Sequence, residues 1–353
     1  MKLVSIDKKD WEKGIERLRP RYRLFGPIRE KTYHAFQRLD EGQLPDLAFA
    51  NTRLSPKDIV FPQSKAILEC SLDETKADHH IMKSIAGDDT PQLVLGIRPC
   101  DASALTLLDL NFNTDEVKDP YWIQAREKTT FFGLACDTPQ STCFCTSVGG
   151  GPFDEKGLDV LLVDADDRYL AKILTEKGAA AMQAAGWQDE SDANALLERR
   201  RGAAEERIRS VVHTDRLKDI DILRLHGAPF WEDISFACIN CGTCTYLCPT
   251  CWCFDIQDEV HQKTACRMKN WDSCMYPLFT HHTSGHNPRG TKLQRLRQRF
   301  MHKLKYFVDK HDAGIMCVGC GRCVHSCPVN IDIRHICNLM NQYSTEDACE
   351  AQG

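Results

Sequence analysis

Two stretches of the sequence carry the same cysteine spacing. Cys238-Ile-Asn-Cys241-Gly-Thr-Cys244-Thr-Tyr-Leu-Cys248-Pro249 and Cys317-Val-Gly-Cys320-Gly-Arg-Cys323-Val-His-Ser-Cys327-Pro328 both read C-x2-C-x2-C-x3-C-P. Three thiolates two residues apart let a short loop wind around one face of a cubane iron–sulfur cluster, with backbone N–H groups turned toward its sulfides. The fourth cysteine has moved into the following segment, and the proline after it removes a competing N–H and turns the chain away. Where two such motifs occur together, the fourth cysteine of each ligates the other cluster. The spacing therefore assigns Cys238, Cys241, Cys244 and Cys327 to one [4Fe–4S] cluster, and Cys317, Cys320, Cys323 and Cys248 to a second. Gly242 and Gly321 stand where backbone must approach a cluster closely, a place for a residue without Cβ. A structural zinc site closes a tetrahedron with paired C-x2-C knuckles and has no role for the third cysteine or the C-P that follows.

Four further cysteines group differently. Cys100, within Arg98-Pro99-Cys100-Asp101, follows the apolar run Leu93 to Ile97; Cys136, Cys143 and Cys145 follow the run Phe131 to Ala135. As adjacent parallel strands, those runs would bring all four thiols past their carboxyl ends, where α/β sheets place ligands. Four thiols there could hold a third [4Fe–4S] cluster, on Cys100, Cys136, Cys143 and Cys145. Arg98 would supply positive charge there, and the Gly149-Gly150-Gly151 loop would allow close backbone approach, which makes Arg98, Gly149 and Gly150 the cofactor-binding candidates. The plainer reading is four small buried thiols. Cys251, Cys253, Cys266 and Cys274 read first as packing residues, since the eight motif thiols already complete two clusters; extra ligands or a flanking shell that tunes potential are the functional readings. Cys70, Cys337 and Cys349 receive no role. No Ser/His/Asp arrangement, P-loop or G-x-G-x-x-G fingerprint is present, so no catalytic residue is named.

The elements that must position these residues fall into two parts. Fourteen of the nineteen cysteines lie from Cys238 onward and none occurs from 146 to 237. The chain thus divides into an α/β (α+β) domain over 1–225 and a two-cluster, bacterial-ferredoxin-like domain over 226–353. A long helical insertion, 249–316, separates its two cysteine motifs. In the first part, Asp7 to Leu18 has helical spacing, Arg21 to Phe25 reads as a strand, and Leu93 to Ile97 and Phe131 to Ala135 read as strands buried on both faces. Leu158 to Val163 and Tyr169 to Leu174 flank a hairpin turn, while Gly178 to Gly186 and 191–210 are helical. In the insertion, Lys292 to Lys310 is a basic amphipathic helix with Leu293, Leu296, Phe300, Leu304 and Phe307 on one stripe. Its basic residues read first as a solvated face; docking an acidic subunit or screening cluster charge are the functional readings.

Composition bounds the rest. A net charge of −5 and a 42% hydrophobic content describe a mixed surface around ordinary cores, not a nucleic-acid-binding one. The odd cysteine count excludes complete internal disulfide pairing. Met1 to Asp7 turns charged before an apolar signal region forms, and no apolar run approaches the ~18 residues of a membrane span, so a reducing cytoplasm is expected.

Several motifs together resemble a known family. Gly96-Ile-Arg-Pro-Cys100-Asp101, Thr142-Cys143-Phe-Cys145-Thr-Ser147, Cys248-Pro-Thr-Cys251-Trp-Cys253-Phe254, Trp271-Asp-Ser-Cys274-Met275, Ser284-Gly-His-Asn-Pro-Arg289 and Met316-Cys-Val-Gly-Cys-Gly-Arg-Cys323 are similar to those of the iron–sulfur β subunit of soluble sulfhydrogenases and the corresponding iron–sulfur subunit of anaerobic sulfite reductase. The resemblance implies an electron-transfer subunit without substrate chemistry of its own. It implies partners on both sides: a flavoprotein NAD(P)H oxidoreductase subunit that holds the flavin, and a hydrogenase, sulfite reductase or heterodisulfide reductase-type subunit. It also implies the third cluster, whose cysteines belong to its most specific motifs. The alternative function is a catalytic flavin- or thiol-dependent reductase of sulfur species, working at Arg98 and Cys100 of the N-terminal domain.

Overall fold

The computed structural model describes residues 2–191 and 193–344; Cys349 lies outside them. Twelve strands form two sheets among the described residues: β1 Lys2–Asp7, β2 Arg23–Arg29, β3 His34–Arg38, β4 Ser64–Ser71, β5 Lys83–Ser84, β6 Gln92–Ile97, β7 Thr129–Leu134, β8 Val160–Asp164, β9 Arg168–Ile173, β10 Gln188–Glu190, β11 Phe254–His261 and β12 Thr264–Trp271. The larger sheet runs β10-β1-β9-β8-β7-β6-β2-β3. Its centre, β2, β6, β7 and β8, is parallel, and its flanks are antiparallel. Val94, Ile97 and Phe131 face the helices Pro99–Phe112 and Pro120–Lys128, while Leu93, Leu95 and Phe132 face Trp11–Glu16 and Glu176–Ala185. Covered on both faces, β6 and β7 are continuous apolar runs, as a central parallel strand requires.

The smaller sheet, β11-β12-β4-β5, is antiparallel and joins distant parts of the sequence, since β12 pairs with β4. The insertion expected to be helical therefore opens with a hairpin, Phe254–Trp271, and becomes helical at Lys292. The hairpin escapes a reading of apolar pattern because β11 is largely exposed and its register is completed by β4, a strand of the other half of the chain.

The C-terminal core is helical: Leu217, Trp231, Leu296, Phe300, Leu304, Ile336 and Met340 pack together. Val212 and Leu217 belong to it, so the expected boundary near 225 lies within this core. The change of core follows the helix Asn194–Glu205, whose Ala204 still packs on the first domain.

Candidate metal centres

The two motif loops have the same backbone. Asn240 and Gly319, each two residues into its motif, have φ of +54° and +64°; Gly242 and Gly321 have +74° and +71° and open the short helices Thr243–Tyr246 and Arg322–His325. Left-handed positions tolerated by Asn and Gly curl each loop so that successive N–H groups converge on one concavity. Cys238, Cys241 and Cys244 line a cavity together with Cys323, Cys327 and Pro328 of the second motif. Cys317, Cys320 and Cys323 lie close enough to Cys248 for the thiols to oppose one another's ionisation. The structure thus brings together both sets that the crossed assignment names.

Cys100, Cys136, Cys143 and Cys145 also line a single cavity, with Arg98, Gly151, Gly319 and Cys320 in its wall. Gly96, at φ +80°, produces the register shift between Leu95 and Ile97 that re-aims the end of β6 toward Arg98 and Cys100. The Cys-Phe-Cys sequence has a packing reason: Phe144 is buried in the C-terminal helical core while its two neighbours turn into the thiol cavity. Its N–H donates to Gly319 O at 2.9 Å, and the Cys143 thiol points at Cys320 O at 3.9 Å. A Cβ on Gly321 would come within 2.7 Å of the Thr142 carbonyl, so the second motif loop is seated on the 142–145 loop by backbone contact. Gly149 and Gly150 lie beside the four-thiol cavity rather than in its wall. Gly149, left-handed at φ +78°, ends the turn Cys145–Val148 and leads the chain into a neighbouring cavity of about 110 Å3 beside Cys100, Cys145 and Cys317; Gly151 reaches the four-thiol cavity.

The side chains between the thiols are cations. On the helix that starts at Lys292–Met301, Arg295, Arg299 and Lys303 recur every fourth residue along the inward face, where the basic surface was expected to be solvated. A π-helical turn, His302–Tyr306, carries Lys303 and Lys305, both buried. Lys303 is 1% exposed, and its ammonium donates to Thr250 Oγ1 at 2.6 Å and Met316 O at 2.7 Å. Lys57 donates to Cys251 O at 2.6 Å and Cys248 O at 3.2 Å, with its ammonium 4.0 Å from the Trp271 ring centre. Arg299 donates to Cys244 O at 3.2 Å and leaves its buried Nε without a partner. Arg98 donates to the carbonyls of Ala50, Phe49, Leu134 and Ala135.

Among the described residues, none of Lys57, Arg98, Arg299 and Lys303 touches a carboxylate. An unpaired buried cation costs several kcal/mol, so four of them around the thiols require anions in the same space. A cluster held by four thiolates is such an anion, and the residues present fit it. Burial opposes the charge on Lys303, but the sulfurs of Cys248, Cys251 and Cys317 beside it hold the ammonium above its ordinary value. Lys57 is pushed down to about 8 by burial, despite Cys251 and Cys248. Burial also raises Cys143 to about 11 and Cys145 to about 12. Free, these thiols stay protonated at neutral pH; iron bound there would take the place of the proton, so loading would release protons and be favoured as pH rises.

Lys303→Met, which keeps the volume and removes the charge, is expected to lower a reduction potential measured on the reconstituted chain by on the order of 100 mV. A unit charge a few ångströms away is worth about 2–4 kcal/mol at an effective dielectric near 20. Anaerobic redox titration checks it, and an unchanged potential would mean that Lys303 is only a strut.

The remaining cysteines separate. Cys251 lies against Cys248, and Cys253 against Cys274. Cys266 sits opposite Glu69 in the smaller sheet, and Cys337 is buried in the helix Ile333–Gln342. Lys57 carried no sequence signal. Arg295, Arg299 and Lys303 did: a cation every fourth residue beside the stripe Leu296, Phe300 and Leu304 lies on the inward half of a helix.

Residues 237–331 match a family described as a 4Fe-4S dicluster domain. The chain is 29% identical over 340 residues to the sulfhydrogenase 2 subunit beta of Pyrococcus furiosus, covering 94% of this chain and 96% of that one. The resemblance carried by the motifs therefore extends along nearly the whole sequence. No solved structure matches the chain. Among the described residues, no helix is long and apolar enough to cross a membrane.

Proposed function

We propose that this chain, with its 4Fe–4S dicluster domain at residues 237–331, is the iron–sulfur electron-transfer subunit of a multisubunit cytoplasmic oxidoreductase. It connects a flavoprotein NAD(P)H oxidoreductase subunit to a catalytic subunit of hydrogenase, sulfite reductase or heterodisulfide reductase type. Cys238, Cys241, Cys244 and Cys327 hold one cluster, Cys317, Cys320, Cys323 and Cys248 the next, and Cys100, Cys136, Cys143 and Cys145 a third. Each [4Fe–4S] cluster, when bound, supplies a one-electron redox couple.

The observation that carries the reading is the run of cations that, among the described residues, have no carboxylate partner and lie between contiguous thiol sets. The residues here do electrostatic and steric work: Lys57, Arg98, Arg299 and Lys303 offset negative charge, and the apolar wall of Met275, Leu296, Phe300 and Ile333 excludes water from the first set. Cys241 is the exposed cysteine among the described ones, and Phe236, Ile239 and Leu278, at 84%, 61% and 78% exposure, lie close to it in sequence or beside the Tyr276 that bonds its carbonyl. That face is where a redox partner meets the chain. The sulfur-reductase alternative asks Arg98 to bind substrate, and its guanidinium is already taken up by four backbone carbonyls.

Anaerobic reconstitution is expected to give about twelve irons per chain, falling by about four in Cys143→Ser while the dicluster absorbance persists. A count of about eight in the wild type would remove the third cluster. Fewer than eight would overturn the reading as a whole.

A further inference from the structure

The opposite end of the parallel sheet holds a second kind of site. A cavity of about 300 Å3 opens between β4, β12, the helix Pro120–Lys128 and the loop around Gly87. Gln92, which begins β6, lies in its wall, and Arg98 and Cys100 follow the other end of that strand. At about 3.3 Å per residue, roughly 20 Å separates the cavity from the third thiol set, so a ligand here does not belong to the metal centres.

Its wall concentrates positive charge. Lys65 and Lys269 face each other directly across the β4–β12 pair, and Lys128 enters from the helix. Like charges in cross-strand register are destabilising unless something offsets them. Lys269 has a carboxylate, Asp119 Oδ2 at 3.0 Å. Lys128 donates to the backbone carbonyl of Asp88 at 2.6 Å, and the Asp88 carboxylate is taken by Arg23 at 2.5 Å. Lys65 has neither: its ammonium lies 4.5 Å from the Tyr121 ring centre, with no hydrogen bond or ion pair to the described residues. Burial, with Lys128 and Lys269 adding to it and Asp119 partly offsetting it, disfavours that charge. Among the described residues, neither the Lys65 nor the Lys128 ammonium is ion-paired to a carboxylate, although Asp88 also lines the cavity.

A buried amide points the same way. Gln92 is 7% exposed; its carbonyl oxygen accepts from Thr129 Oγ1 at 3.2 Å, and its NH2 has no partner among the described residues. That NH2 opens on the cavity, where an acceptor of a ligand would meet it. The rest of the wall combines the polar Arg23, Asp88 and Gln124 with apolar and aromatic side chains, Phe61, Tyr121 and Trp122 among them. The space equals about ten waters at roughly 30 Å3 each, more than an inorganic phosphate fills and at the lower end of small-molecule pockets.

We propose that this cavity binds a mononucleotide, its phosphate dianion between Lys65 and Lys128 and its base against the aromatic wall within reach of the Gln92 amide. The proposal is independent of the electron-transfer reading, because neither the charges nor the rings involved touch the cysteines.

Equilibrium dialysis of the reconstituted full chain against AMP tests it. One AMP per chain is expected, with adenosine and inorganic phosphate each binding at least tenfold more weakly. Lys65→Met and Lys128→Met should each weaken AMP binding tenfold or more while leaving the iron content unchanged. Absence of AMP binding, or binding unaffected by both substitutions, overturns the proposal. Phosphate that binds as well as AMP also overturns it, reducing the site to a patch of charge. The comparison of AMP, adenosine and phosphate on the unmodified chain decides the matter even if a variant fails to fold.

Discussion

Arg322→Met is expected to destabilise the chain by about 3–5 kcal/mol, the usual effect of removing one member of a buried ion pair, and to lower the thermal midpoint of the reconstituted protein by on the order of 10 °C. Arg322 is 4% exposed and Asp101 1%, and they meet in a two-pronged bond of 2.6 and 2.7 Å. The guanidinium also donates to Thr52 O at 2.9 Å and to Asn51 Oδ1. Methionine fills the space and leaves the Asp101 carboxylate buried with no counter-charge. Asp101 follows Cys100 in the first turn of Pro99–Phe112, and Arg322 stands between Cys320 and Cys323, so the loss falls on the contact between the second and third thiol sets. Arg322→Met combined with Asp101→Leu should recover much of the stability, because the cost arises from the unpaired charge and the two substitutions are not additive. Differential scanning calorimetry of both variants checks this; a shift below about 2 °C in the single variant would mean that the pair contributes little.

Cross-ligation makes a prediction that a simpler arrangement reverses. Although Cys248 lies in the first motif, Cys248→Ser should disable the site built on Cys317, Cys320 and Cys323. The double variant Cys248→Ser/Cys317→Ser is therefore expected to lose one cluster, about four irons, whereas Cys248→Ser/Cys238→Ser loses two, about eight. If each motif held its own cluster, the two doubles would exchange places. The physical basis is the cavity in which Cys327 joins Cys238, Cys241 and Cys244. Iron analysis with electron paramagnetic resonance of the reduced samples reads the difference directly.

Much of the architecture is legible in the sequence. The runs Leu93–Ile97 and Phe131–Ala135 are the adjacent parallel strands β6 and β7, and the hairpin of β8 and β9 lies where its turn residues mark it. These follow from local pattern: a continuous apolar run demands cover on both faces, and a polar turn between two runs brings them side by side. The strand β4 carried no comparable pattern, because its partner β12 lies roughly two hundred residues away and its own side chains are only partly buried. The same holds for Lys57. A lysine between Pro56 and Asp58 reads as surface until the fold carries it to the Cys248 and Cys251 carbonyls.

The basic helix shows why such residues mislead. Lys and Arg side chains are ordinarily solvated, so a run of them predicts a wet face. Arg299 and Lys303 reverse that expectation because they share their space with thiols whose negative charge, once iron is bound, exceeds what neutral groups can stabilise. Sequence registers the sign of a charge, whereas burial depends on what stands opposite it.

The sequence by itself determined the chemistry: repeated cysteine spacing is a local constraint, written in a dozen residues, and it specifies ligand number and loop winding without reference to the rest of the fold. Tertiary structure alone decided how the three thiol sets adjoin and which cations lie between them. Those relations join the end of β6, the loop after β7, the helix from Lys292 and both motif loops, segments whose contacts arise only once two separate cores have packed against one another.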